Sequence, residues 1–455
     1  MAPTDVSLVA AVSLAVETSL AAGAEEAEAY ALEETGREVR VHDGEIESLT
    51  VATERGIGVR TWIGHRVGYA YGTDLSQGGL ASVGGRAVEG AGTADEDEFA
   101  KAPAPEGEAP EIEGLRDASV SAWSTAEAVD LALAVERAAL EADKRIVGVE
   151  QAAYADSDAR VAIRSSAGVE ESFEASSCYA YLQALAGGNG GRETGLGFGL
   201  GRGPDGLDPR AIGREGAERA LAMIGAGKPP SRSCPVVLEP TVAASFVGVI
   251  GDVLGADAVQ RGRSPFAERL GEEIAGAALV LRDDGLDPEG LGSSPFDGEG
   301  MPRRRTPLID DGRLRSFLHD SYTARRAGTG STANAGRGGY RSLPSVSPSN
   351  LVVGEGPLSF EELLGEAGEG VYVTDVAGLH SGVNPVSGVF SVGASGRVIS
   401  GGELAEPVRE FTIASDLVGM CGLVSAAGTE SRWVPFGGSV RTPPLLVGEM
   451  TVSGL

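Results

Sequence analysis

The stretch Ser321-Tyr-Thr-Ala-Arg-Arg-Ala-Gly-Thr-Gly-Ser-Thr-Ala-Asn-Ala-Gly-Arg-Gly-Gly-Tyr340 decides between two architectures. Within it, Gly328-Thr-Gly-Ser-Thr-Ala333 fits the G-x-G-x-x-G/A spacing of a dinucleotide loop, which would imply a parallel, doubly wound sheet. That reading needs a strand before the glycines, a helix after them to carry the pyrophosphate, and an acidic residue about twenty positions on. The chain continues instead with Asn334-Ala-Gly-Arg-Gly-Gly339 and then Leu343-Pro-Ser-Val-Ser-Pro-Ser349, a run too rich in glycine and proline to start a helix. No Gly-Lys-[Ser/Thr] occurs anywhere, so a P-loop is excluded. The stretch reads as a loop of a different kind of fold.

Outward from it, residues 301–341 hold nine arginines (303, 304, 305, 313, 315, 325, 326, 337 and 341) against Asp310, Asp311 and Asp320, a local surplus of six positive charges. The whole chain carries 37 basic and 66 acidic residues, a formal net charge of −29, so the arginines stand in an acidic protein. Two uses remain open for them. They pair with acidic groups of this chain or a partner, or they and nearby backbone N–H groups receive a carboxylate such as a peptide terminus. A field this negative repels a phosphate backbone, which argues against nucleic acid as a partner.

The flanks predict an α+β fold. On the N-terminal side, apolar residues at helical spacing mark residues 6–20, 125–143 and 210–225. Short alternating segments at 28–33, 37–42, 45–53, 56–62 and 66–71 read as an antiparallel meander, with strand patterns again at 147–155, 160–165 and 170–185. Residues 93–114 mix eight acidic residues with Ala-Pro repeats, the composition of a solvated linker or surface loop. Beyond Pro230 short β-like runs dominate, with helices only at 243–254 and 359–365, and Asp310-Asp-Gly-Arg313 marks a hairpin. The predicted organisation is an N-terminal helix-plus-antiparallel-sheet domain with its acidic linker (1–114), a middle α+β domain (115–228) and a mainly β domain (229–455). No fixed-period repeat is visible. No apolar run is long enough to span a bilayer, and Met1-Ala-Pro-Thr-Asp5 lacks a basic n-region, so the cytoplasm is the expected location.

Chemistry-bearing residues are few. Cys178, Cys234 and Cys421 form no Cys-x-x-Cys pair and read as buried thiols. His42, His65, His319 and His380 lie far apart, so no zinc helix of the His-Glu-x-x-His type exists. No Gly-x-Ser-x-Gly elbow is present, and no catalytic constellation emerges from residue types alone.

Several segments in order carry a resemblance. They are Met301-Pro-Arg-Arg-Arg-Thr-Pro-Leu-Ile-Asp-Asp-Gly-Arg-Leu-Arg-Ser-Phe-Leu-His-Asp-Ser-Tyr-Thr-Ala-Arg-Arg326, Gly330-Ser-Thr-Ala-Asn-Ala-Gly336 with Pro348-Ser-Asn350, and Asp375-Val-Ala-Gly-Leu-His-Ser-Gly-Val-Asn-Pro-Val-Ser-Gly-Val-Phe390. Together with Phe411-Thr-Ile413 and Arg441-Thr-Pro-Pro-Leu-Leu446 they resemble the TldD/PmbA (TldE) family across nearly the whole chain. The resemblance implies two branches: TldD-type chains that bind zinc through His-Glu-x-x-x-His and a distant cysteine and cut peptides, and PmbA-type chains that lack this helix and pair with them around a chamber. Counted back from Gly262-Arg-Ser-Pro-Phe266, the zinc positions fall on Val247, Gly248 and Asp252, while Gly419-Met-Cys-Gly422 would place Cys421 at the third ligand. The implied protein is a PmbA/TldE-like subunit that binds no metal itself and presents unstructured peptides to a zinc-bearing TldD-type partner. The implied alternative is a stand-alone, self-assembling member acting on or forming amide bonds without metal, as in antibiotic biosynthesis. Under the first reading, Ser321, Tyr322, Arg325, Arg326, Asn334 and Arg337 are the expected peptide contacts.

Overall fold

In the first strand, β1 (Glu26–His42), small and large side chains alternate, and the alternation sorts the two faces of a sheet. Ala27, Ala29 and Ala31 are fully buried and share a core with the helices α1 (Leu8–Ala21) and α2 (Gln77–Thr93). A methyl group at every second position lets helices lie close against the strand. The intervening residues Glu28, Tyr30 and Leu32 face the other way. β1 pairs with β2 (Glu45–Ile63), which pairs with β3 (Arg66–Gly72); on its other edge β1 pairs with β4 (Ile146–Ser165), followed by β5 (Glu170–Gly188) and β6 (Gly191–Gly201). All five pairings are antiparallel. The computed structural model describes residues 6–188, 191–436 and 438–455; Met1–Asp5, on which the signal-peptide reading rests, lie outside them.

The helices Thr125–Ala142 and Pro209–Ala222 pack on the β4–β6 half, around Tyr154, Cys178, Leu182 and Ile212. Ser124 and Glu127 form a reciprocal capping box that fixes where the first of these begins. A helix, three strands and a helix therefore occur twice, and the two copies join through β1 and β4 into one six-stranded sheet. The repeat is one of topology, carried by no visible sequence period. The boundary placed at residue 114 separates two halves of a shared sheet.

The C-terminal part is mainly β, as the composition predicts. β7 (Arg232–Leu238) runs parallel to Gly370–Ala377 and antiparallel to Leu445–Ser453. Pairing of Thr412–Ala414 with Thr451–Ser453, in addition to the Gly370–Ala377, Val389–Ser400 and Glu403–Asp416 ladder, closes these strands on themselves. The helix Pro240–Val253 comes directly after β7. Glu239 caps it by accepting from Thr241 N at 2.7 Å, and Val242, Phe246, Val247 and Ile250 are buried in the core. A second mixed sheet surrounds Leu281–Asp284 and contains the hairpin at Asp310–Arg313, whose turn residues Asp311 and Gly312 have φ of 50° and 70°. No helix of the described residues is long and apolar enough to cross a membrane.

The N-terminal sheet meets the C-terminal part through its helix-free face. Tyr30, Val161 and Ile163 pack with Phe296, Met301, Ala333 and Tyr340. On β2 the residues facing this contact are Gly56, Gly58, Arg60 and Trp62. A Cβ on Gly58 would stand 2.3 Å from the Tyr340 carbonyl oxygen, so the close approach requires glycine there.

Candidate functional site

The buried contact between the two parts is ionic at its centre. Glu28 of β1 and Arg60 of β2 are joined at 2.7 Å, and Arg60 also reaches Glu299 at 3.1 Å. Arg337 closes the set by pairing with Glu28 and stacking 4.8 Å above the Tyr30 ring. Two carboxylates and two guanidiniums compensate one another, which is what makes burial tolerable. Burial alone would lower the Arg60 pKa; Glu28 and Glu299 outweigh it and raise it. Burial also pushes Glu299 toward protonation, but Arg60 and the N–H of Ser321 hold it below the usual carboxylate range. Beside it Asp297, fully enclosed, is raised by burial and by the charge of Glu299.

This arrangement decides the fate of the residues nominated from sequence. Arg337 is turned inward: its side chain is 2% exposed, and it donates to Glu28 and to the Gly298 carbonyl. Asn334 is also withdrawn, fully buried and donating to Asp283 Oδ2 at 2.7 Å and to the Ser347 carbonyl at 3.2 Å. Ser321 is buried, with its N–H given to Glu299 Oε2 at 2.9 Å. Arg326 is exposed on the outer side of a short helix, Ser321–Ala327. Tyr322 and Arg325 line a cleft of about 410 Å³ between the two parts. Of the two uses open to the arginines, pairing within the chain claims Arg337, Arg304 and Arg341, which bind Glu28, Glu106 and Glu54.

The acidic segment after α2 is less free than its composition suggests. It forms no helix or strand over residues 94–118, yet Asp97 donates its N–H to the His65 carbonyl at 2.8 Å and accepts from Tyr322 Oη at 2.7 Å. Arg325 donates from Nε to the Phe99 carbonyl and from Nη2 to the Lys101 carbonyl, each at 2.9 Å. Arg304 holds Glu106 further along. The linker is a strap across the junction of the two parts, forming one rim of the cleft. The sequence reading missed Glu28, Arg60, Glu299 and Asp320; a glutamate and an arginine inside apolar strand runs were the available signal.

The helix that the resemblance assigned to zinc is present as Pro240–Val253. Val247 is buried in the main core, Gly248 is buried and carries no side chain, and Asp252 is exposed. Cys421 lies on Leu417–Leu423, fully buried, and burial and then the charge of Asp416 push its thiol up to about 12. A metal-ligating cysteine must be a thiolate, and burial and the charge of Asp416 both oppose one here. Among the described residues no group of three or more His, Cys, Asp or Glu side chains is placed to hold a metal ion. This donor set does not fit zinc.

The chain combines a duplicated helix-and-sheet layer with a barrel-centred β domain, and it matches one metallopeptidase family in three parts. Its models match in order: domain 1 of the PmbA/TldA metallopeptidases over residues 27–91, the central domain over 119–224 and the C-terminal domain over 231–454. Metalloprotease PmbA of Escherichia coli O157:H7 is 30% identical over 98% of this chain and 95% of its own length. A PmbA homolog of Haemophilus influenzae is 28% identical with the same coverage. The solved structure of TldE from Thermococcus kodakarensis shares the fold, with a TM-score of 0.90 over 98% of this chain and all of its own, at 21% identity. The chain belongs to the PmbA/TldD metallopeptidase family.

Proposed function

We propose that this chain is the metal-free, PmbA/TldE-like subunit of a cytoplasmic TldD/TldE-type metallopeptidase, enclosing unstructured peptides that a zinc-bearing partner cuts. The carrying observation is the helix Pro240–Val253, where hydrocarbon, a bare backbone and one exposed carboxylate occupy the positions assigned to two ligands and a base. Valine cannot ligate zinc and glycine cannot move a proton. What the chain offers instead is surface for assembly. Along residues 45–56 one edge of β2 has no strand partner among the described residues, because β3 begins its pairing at Ile57. Ile46, Leu49 and Val51 are exposed on that stretch. A free edge of this length supports strand addition by a peptide or a partner.

Mixing the chain with a family member that carries His-Glu-x-x-x-His tests the reading. The expected result is a mixed complex by mass and peptide cleavage that neither chain shows alone. A stable homo-oligomer that ignores this partner, with activity of its own, would instead favour the stand-alone alternative.

A further inference from the structure

The cleft between the N-terminal sheet and the C-terminal part has a polar arrangement that the fold does not use up. Arg325 lines it, fixed by the carbonyls of Phe99 and Lys101, and no carboxylate of the described residues pairs with its guanidinium. Burial disfavours its charge, yet an arginine stays protonated, and Glu299, Asp320 and Glu26 attract it only through space, with no direct ion pair among the described residues. Lys101 lines the same rim, exposed and with no ion pair among the described residues. In the floor, the Arg60 side chain is only 10% exposed and its Nε has no hydrogen-bond partner among the described residues. Asp320 is 6% exposed; its Oδ1 accepts from the N–H and hydroxyl of Thr323 at 2.7 Å each, and its other oxygen accepts from none of the described residues. Trp62, Val67, Leu343, Pro344 and Val346 supply an apolar wall.

We propose that this cleft binds a free α-carboxylate bearing an apolar side chain, an amino acid or the end of a short peptide, with Arg325 and Lys101 receiving the carboxylate. The unused Asp320 oxygen accepts from the ligand's N–H, and the wall at Trp62 takes its side chain. The volume, about 410 Å³, lies within the roughly 300–1,000 Å³ of small-molecule sites. Asp320 and Glu299 in the same cleft repel a multiply charged phosphate, so a monoanion with a donor nearby is the better match. The inference does not depend on the subunit reading, because it concerns binding by the isolated chain without metal or cleavage.

Calorimetric titration of the full-length chain with leucine, the dipeptide Ala-Leu, its C-terminal amide and inorganic phosphate tests it. Saturable binding of leucine or Ala-Leu is expected, with the amide about tenfold weaker or worse, the worth of one charge-assisted contact. Binding by leucine alone identifies an amino-acid site, and binding by Ala-Leu a peptide-end site. Arg325→Gln and Lys101→Gln should each weaken the acid and leave the amide unchanged, while Lys144→Gln, exposed and remote, changes neither. Should Arg325→Gln loosen the strap and fail to fold, Lys101→Gln carries the test alone. Equal affinity for acid and amide, phosphate binding in preference to both, or no saturable heat by about 10 mM would overturn the proposal.

Discussion

Replacing Arg337 with alanine is expected to destabilise the protein by about 3–5 kcal/mol, because it leaves one carboxylate of a buried pair without its partner. Glu28 has a side-chain exposure of 1% and cannot turn to water. Arg60 would be left to neutralise both Glu28 and Glu299. The Tyr30 ring would also lose the guanidinium stacked on it. For a domain of this size the loss corresponds to a drop on the order of 10 °C in the first thermal transition. Arg337→Lys should recover part of it, since the charge remains while the planar fork that reaches both Glu28 and the Gly298 carbonyl is lost. A melting temperature unchanged by Arg337→Ala would show that the two parts are not held by this ion set.

A comparable loss is expected from Gly197→Val. A Cβ at Gly197 would stand 2.1 Å from the Ile212 carbonyl oxygen and 2.7 Å from Gly216 N, both backbone atoms of the helix Pro209–Ala222. Side chains can rotate away from such an overlap; a hydrogen-bonded helix backbone cannot. The helix must therefore lift from β6, drawing Ile212, Ala217 and Ala220 out of the core they share with Leu182. The cost should reach or exceed about 3 kcal/mol, the upper end for overpacking. Gly85→Ala is the control, because nothing lies within 4 Å of the new methyl and the site is helical. It should be neutral or stabilise by up to about 1 kcal/mol. Equal melting temperatures for the two variants would contradict the packing described.

The parts of the fold legible in sequence were those fixed by local patterns. Residues 6–20, 125–143 and 210–225 announced helices because their apolar spacing and caps are local, and the structure has Leu8–Ala21, Thr125–Ala142 and Pro209–Ala222. α2 was invisible: six glycines in Gln77–Thr93 give it poor helix propensity, and tertiary packing against α1 and β3 maintains it. The long strands were read as broken. Thr35 and Gly36 look like a turn in isolation, yet both sit mid-strand in β1, paired with β2 on one side and β4 on the other. In the glycine-rich stretch the sequence reading saw only a loop, and the helix Ser321–Ala327 went unseen, although Asp320 caps it and Gly328 ends it at a φ of 68°.

The site was legible only in part, for a physical reason. Arginine at position 337 looks the same in sequence whether it meets a ligand or Glu28, which lies 309 residues away. Tyr322 and Arg325 do reach a cavity, but the strap that completes it was read as a solvated linker. By contrast, Val247 and Gly248 can be read without the fold, since neither residue type carries a ligating atom or a proton-transfer group.

The central proposal, that this chain holds no metal centre of its own, meets its most direct test in elemental analysis. The isolated chain would be incubated with zinc, freed of loosely held metal and measured. The account predicts no stoichiometric zinc. About one tightly bound zinc per chain, held as a three-ligand protein site would hold it, would contradict it.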